Sequence, residues 1–264
     1  PYFRIFREKY GNISEKIRDM RHRISDKPSN WYILYPISYI STSGGVNVFQ
    51  GFSPETVDFL WGIRLNNNRE WFLDHKKQYV DTLYEPMKAL AKELQPIIAD
   101  KPGTLIKVSR IYRDARLHHP LPYKESLWIC IRQDCQWWAE KPCLYFEINP
   151  DGIHYGFFYY KPGIPRLETF RSRIAARPDE FLTLIADTEA AVEQPVTAVC
   201  YKRPKLSEDP RLAEYFSWKE QFACVREEPF SPETFGPELA ARVADFLQKL
   251  IPLYDYFNLI SADP

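Results

Sequence analysis

At 264 residues the chain sits at the upper end of what one hydrophobic core supports, so one large domain with an appendage is expected rather than two equal domains. Its 35 basic and 35 acidic side chains cancel, which removes the global positive field of a nucleic-acid binder and leaves only local patches. No stretch approaches the roughly 20 apolar residues of a membrane span, because the most apolar run, residues 31–40, is broken by Pro36 and Ser38.

Residues 1–50 read as an N-terminal extension. Between Arg4 and Lys27 eight basic residues stand against four acidic ones, and Phe6, Tyr10, Ile13, Ile17, Met20 and Ile24 recur every three or four positions. That spacing is an amphipathic helix with a heptad seam. Such a helix docks on its own domain or on a sister chain, so a homo-oligomer joined through it is expected; a basic surface for nucleic acid or a membrane is the alternative. Residues 41–46, STSGGV, read as a linker. The start has no signal-peptide pattern, and beginning at Pro1 rather than Met it is expected to lack residues upstream.

Residues 51–264 read as a single α+β domain. Ser53 is a good helix cap with Pro54 at the first helical position, and Val57, Leu60 and Trp61 give an apolar face up to about Arg64. Asn67, three residues before Glu70, resembles a capping box that opens a second helix. This helix carries Phe72, His75, Tyr79 and Leu83, is interrupted near Pro86, and resumes with Leu90, Leu94, Ile97 and Ile98.

After Lys101 the period changes to two. Leu105 to Tyr112 reads as a strand with Ile106, Val108, Arg110 and Tyr112 on one face and Lys107, Ser109, Ile111 and Arg113 on the other. Further strands are expected at Ser126 to Arg132, Leu144 to Ile148, Ile153 to Tyr160 and Val196 to Tyr201. Asn149-Pro150-Asp151-Gly152 suits a type I turn closed by a left-handed glycine bulge. If that hairpin pairs Asn149 with Ile153, Glu147 faces Tyr155. Helical patterns return at about Leu167 to Ala175, Asp179 to Val192 and Pro237 to Tyr254. The sum is a central antiparallel sheet of about four to five strands, packed with helices from both ends of the chain.

The segment RIYRDARLHHPLPYK, Arg110 to Lys124, gathers cations where the chain turns. Arg110 and Arg113 offer planar guanidinium forks that match carboxylate or phosphate, Lys124 a point charge and Tyr123 a hydroxyl, which makes a small anionic ligand the expected partner. Asp114, amid arginines, is a poor base near neutrality and reads as an orienting group. Lys202 and Arg203 are candidates for a second wall of the same pocket. The opposing reading is a structural ion-pair network in a non-catalytic interaction protein, and a hydrolase of phosphorylated small molecules using Asp114 or Glu147 with a metal is a third. Adjacent His118 and His119 lack chelating spacing, so no metal site is expected. The sequence names no cofactor, and no GxSxG, GxxxxGKS or GxGxxG motif supplies an enzyme class. Five cysteines without paired spacing read as reduced, mostly buried thiols of a cytoplasmic protein, and neither nucleic acid nor a membrane is an expected partner.

In order, GFSPETVDFL, LNNNREWF, SRIYRDAR, PYK, YFEINPDG, YKRPK and IPLYDYFNLI resemble the bacterial family catalogued as domain-of-unknown-function family 2461, over about Gly51 to Ile260. The resemblance implies a stand-alone, soluble α+β protein with no established activity and no assigned catalytic residue. Relatives carry an aromatic residue and more cations between the RD and PYK motifs, where this chain has Ala115, Arg116, Leu117, His118, His119, Pro120 and Leu121. A family anion site is therefore expected to bind less tightly here, or more tightly as pH falls and the histidines charge.

Overall fold

The first helices form where the cap residues place them. In the computed structural model, which describes residues 48–114, 120–135 and 140–262, α1 spans Pro54–Leu65 and α2 Arg69–Asp74. The expected N-terminal helix and linker, and His118 and His119, lie outside the described residues. The cap of α2 is Asn68, whose side chain accepts from the Trp71 N–H at 3.0 Å, one residue after the expected Asn67. Lys76–Gln78 and a wide π turn at Tyr79–Tyr84 lead into α3, Glu85–Glu93. The interruption expected near Pro86 has a local cause: proline has no N–H to offer the Thr82 carbonyl four residues back. The Thr56 hydroxyl of α1 donates to that carbonyl at 2.6 Å while accepting from the Ser53 N–H at 3.1 Å. One buried hydroxyl thus ties α1 to the π turn ahead of α3.

Among the described residues six strands form one sheet in the order β1-β2-β3-β4-β6-β5, every neighbouring pair antiparallel. They are β1 Thr104–Val108, β2 Leu127–Gln133, β3 Cys143–Asn149, β4 Gly152–Tyr159, β5 Thr197–Cys200 and β6 Trp218–Glu228. The sheet has one strand more than the upper expectation. β6 carries five charged residues, and its alternation breaks at Gln221, which adopts a left-handed φ of 58°; it therefore lacks the period-2 signature although it pairs with both β4 and β5. Between β4 and β5 run α4, Ile164–Ala176, and α5, Pro178–Val192. The last helical stretch, expected as one, is two: α6, Glu238–Lys249, and α7, Ile251–Ala262. Pro252 cannot donate to Gln248 and breaks the ladder between them.

Helices cover one face of the sheet. Cross-strand register lines up Ile129, Phe146 and Tyr155 in one row and Ile131, Leu144, Phe157 and Cys224 in the next, all fully or almost fully buried. Against them pack Phe246 of α6, edge-on to Tyr155 at 5.1 Å, and Phe257 of α7, 5.5 Å from Phe157. The core reaches back to Phe49, 2 % exposed, which meets Phe52 edge-on. Strand residues between these rows point to the opposite face. There stand Trp128, Glu147, His154 and Glu227, aligned across β2, β3, β4 and β6. Cys200, expected buried on its strand, is exposed, because β5 is an edge strand. No helix among the described residues is long and apolar enough to cross a membrane.

Candidate functional site

The charged segment takes its shape from a bend after β1. The strand expected to run to Tyr112 stops at Val108. Ser109 then accepts the Trp128 N–H with its side-chain oxygen at 3.1 Å, while its own N–H reaches the Trp128 carbonyl at 2.8 Å. A hydroxyl replaces a backbone carbonyl in the ladder, the chain steps sideways, and Arg110 is exposed rather than set on the apolar face. Pairing resumes at an isolated bridge between Tyr112 and Tyr123. The Arg113 N–H reaches the Pro122 carbonyl at 2.9 Å and the Lys124 N–H the Ile111 carbonyl at 2.7 Å. The bend brings the Arg110 backbone carbonyl within reach of Lys124 Nζ.

Alternation on the second segment then sorts the side chains. Tyr123, Glu125 and Leu127 take one side, Lys124, Ser126 and Trp128 the other. Tyr123 is buried and stacks on Phe72 at 4.2 Å, and its backbone is held at both ends by the Asn67 amide, at 3.0 and 2.9 Å. Its ring belongs to the helix-side core. Asn67, read as a cap, is the clamp for this segment. Glu125 accepts from Arg64 Nε at 2.9 Å and lies 3.6 Å from Arg113. Arg64 also reaches Asp151 at the tip of the β3–β4 hairpin, so Asp151, Arg64, Glu125 and Arg113 form a chain of alternating charge. Arg113 is 7 % exposed; burial pulls its proton affinity below the ordinary guanidinium range, opposed by Glu125.

On the other side the Lys124 ammonium donates to the Arg110 carbonyl at 2.6 Å and lies 5.5 Å from the centre of the Trp128 ring. Its proton affinity is lowered, first by burial, then by the charges of Arg110 and Arg113, with Glu147 opposing. Glu147 arrives here through register. The hairpin pairs Asn149 with Gly152 across Pro150 and Asp151, not with Ile153, so Glu147 stands opposite His154 rather than Tyr155. Burial raises the Glu147 carboxyl, opposed by a Ser126 hydrogen bond and by His154 and Lys124. His154 Nδ1 lies 3.6 Å from Glu227. Side by side are a reluctant ammonium, a reluctant carboxylate and an imidazole.

Asp114 is exposed beside Arg113. Lys202 and Arg203 are exposed after β5, at the edge of the sheet opposite β1. Four strand spacings separate β2 from β5, about 19 Å at ~4.8 Å each. Glu147 and His154 follow Trp128 in register, and the sequence carried a signal for them only in the hairpin register. Among the described residues no group of three metal-ligating side chains forms.

A carboxyl with higher proton affinity folded than unfolded contributes stability below its ordinary pKa, and that contribution is lost as pH rises through the folded value. For Glu147 the window opens near the ordinary 4.5 and extends upward. Wild type minus Glu147→Gln stability therefore falls as pH rises through this window. Urea denaturation at a series of pH values checks it, and parallel stability curves for the two proteins reject a buried, proton-holding Glu147.

A family model described as "Conserved hypothetical protein (DUF2461)" matches residues 55–256. The search of curated proteins gave no match.

Proposed function

Since the chain belongs to the DUF2461 family of conserved hypothetical proteins, a description that carries no activity, we propose its function from the site itself: it binds a small anion, a phosphate, nucleotide or carboxylate, between Arg110, Arg113 and Lys124. One observation carries this reading. Lys124 Nζ donates to the Arg110 carbonyl at 2.6 Å beside the exposed Arg110 side chain, while Glu125, 3.6 Å from Arg113, is shared with Arg64. Arg110 is exposed and enters no ion pair among the described residues. An anion between these cations lowers their mutual repulsion and accepts their directed N–H groups.

Binding stabilises the folded protein by mass action, about 2.7 kcal/mol when free ligand is 100 times its dissociation constant. Phosphate, a nucleotide or a small carboxylate is therefore expected to raise the melting temperature of wild type, and Arg110→Ala to abolish that rise with little change in the ligand-free value. A rise of equal size in Arg110→Ala, or no rise with any of the three anions, defeats the proposal. The second reading, a protein-interaction module in which the cluster is structural, draws on the Asp151, Arg64, Glu125, Arg113 chain, which joins α1, the hairpin tip and the segments around β2.

A further inference from the structure

The two edges of the sheet are built differently. β5 is four residues long, shifts register twice against β6 and runs into Lys202 and Pro204, devices that keep an edge from pairing with another chain. β1 pairs with β2 from Thr104 to Val108 without a shift and contains no proline. Among the described residues no strand lies on its outer side.

Hydrogen bonds at the two ends of β1 show which of its backbone groups face outward. The Gly103 carbonyl accepts from the Asp134 N–H and the Ser109 N–H reaches the Trp128 carbonyl, both at 2.8 Å. Backbone groups of alternate residues face the same neighbour, so Leu105 and Lys107 also bond toward β2, and Thr104, Ile106 and Val108 face away. The Thr104 N–H is taken by the Lys101 carbonyl at 3.2 Å. The Thr104 carbonyl and both backbone groups of Ile106 and of Val108 are left for a further strand. Ile106 and Val108 are half-buried against the core and Leu105 is half-buried on the opposite face, so a further strand would remove more of all three from water.

We propose that β1 pairs antiparallel with β1 of a second copy of the chain about a two-fold axis at Ile106, joining the two sheets into one; this does not depend on the anion reading. A two-fold contact uses the same patch on both copies, so an open edge meets its own complement whenever the register suits. Bonds and charge choose that register. Centred on Lys107, the pairing sets the two exposed Lys107 residues directly opposite, their Cα atoms about 4.5 Å apart, and like charges there repel. Centred on Leu105, it sets Val108 against Pro102, which has no N–H to give. Centred on Ile106, the Ile106 N–H and carbonyl exchange with those of the other copy, and each Val108 N–H meets the other Thr104 carbonyl. Lys107 then lies opposite Leu105, along which its methylene stem can run. The lysine thus selects one register rather than blocking the edge.

Sedimentation of the full chain over a range of concentrations is expected to show the mass rising to twice that of one chain. Residue-resolved amide exchange of the wild type follows the same rise: the Ile106 and Val108 amides slow about tenfold when about nine-tenths of the copies are paired, because only the unpaired fraction exchanges. The Leu105 and Lys107 amides, bonded to β2 in either state, do not change. Ile106→Cys is expected to cross-link to its own copy on mild oxidation, because the two Cα atoms stand about 5.5 Å apart, within the roughly 4.4–6.8 Å that a disulfide spans. Lys107→Cys is expected not to, at about 8 Å from a strand spacing of ~4.8 Å and a rise of ~3.4 Å per residue. Peptide mass mapping separates these cross-links from any made by the exposed Cys200. A mass of one chain at every concentration, with Ile106 and Val108 amides exchanging at the same fast rate throughout, overturns the proposal. So does a dimer in which those amides stay fast and Ile106→Cys does not cross-link, which places the pairing on another surface. Cross-linking by Lys107→Cys in preference to Ile106→Cys overturns the register and the charge argument with it.

Discussion

Phe257→Ala is expected to destabilise the domain by about 3–5 kcal/mol, the range for removing a fully buried aromatic side chain and leaving a cavity. Phe257 of α7 is fully buried. Its ring lies 5.5 Å from Phe157 and 6.1 Å from Tyr159 of β4, 5.4 Å from Phe222 of β6 and 5.6 Å from Phe170 of α4. It is thus a shared wall of three elements, each well removed from α7 in the chain, and truncating it opens space that none of them can fill alone. Domains of this kind have only about 5–15 kcal/mol in total, so the variant is expected to unfold at much lower urea with a similar dependence on denaturant. Phe257→Leu keeps most of the volume and should lose clearly less. A loss below ~1.5 kcal/mol for Phe257→Ala shows that the helix layer does not pack on the sheet as described.

Gly156→Ala should destabilise by a similar amount for the opposite reason, excess rather than missing volume. Gly156 sits in the central strand β4, paired with Tyr145 on one side and Val225 on the other. Its φ is 156°, and a Cβ there would come to 2.2 Å from the Cys224 carbonyl oxygen and 2.9 Å from the Val225 Cα. Both contacts are backbone of the neighbouring strand, so no side chain can turn away, and β4 and β6 would have to separate. Strained backbone and overpacking each cost about 1–3 kcal/mol, and together about 3–5 kcal/mol. His154 lies two residues before this point on the same face, so the anion response of the melting temperature should weaken as well. Gly163→Ala is the matched control, because a Cβ there meets only side-chain atoms, at 3.5 and 3.8 Å. Equal melting temperatures for Gly156→Ala and wild type show that the β4–β6 approach is not as close as described.

The candidate site was half legible, and the halves differ in kind. Arg110, Arg113 and Lys124 stand out as charge gathered at a turn, where Lys124 Nζ donates to the Arg110 backbone carbonyl. Their arrangement was misread because period-2 alternation assumes an unbroken ladder, and Ser109 breaks it with a side-chain hydrogen bond that has no composition signal. The surroundings of Tyr123 were not legible for a related reason: its aromatic partner Phe72 and its backbone clamp Asn67 come from α2 and the residue preceding its cap, more than fifty positions away. Glu147 shows how much one residue of register decides. A hairpin loop of Pro150 and Asp151 alone, without a bulge, exchanges its cross-strand partner from Tyr155 to His154 and sets it among polar groups.

By itself, the sequence determined what depends on neighbours a few residues away. The α1 cap, the break at Pro86, the hairpin at Asn149 to Gly152, the α+β class and the family all follow from local backbone chemistry, residue order and hydrophobic period. Tertiary structure alone decided which distant groups meet. It placed Lys202 and Arg203 at the far edge of the sheet, paired β6 between β4 and β5 despite its weak alternation, and set Glu147 opposite His154. The physical reason is that cross-strand register and strand order are fixed by burial of the whole hydrophobic face at once. That sum runs over residues from Phe49 to Ile260, and no short window of sequence contains it.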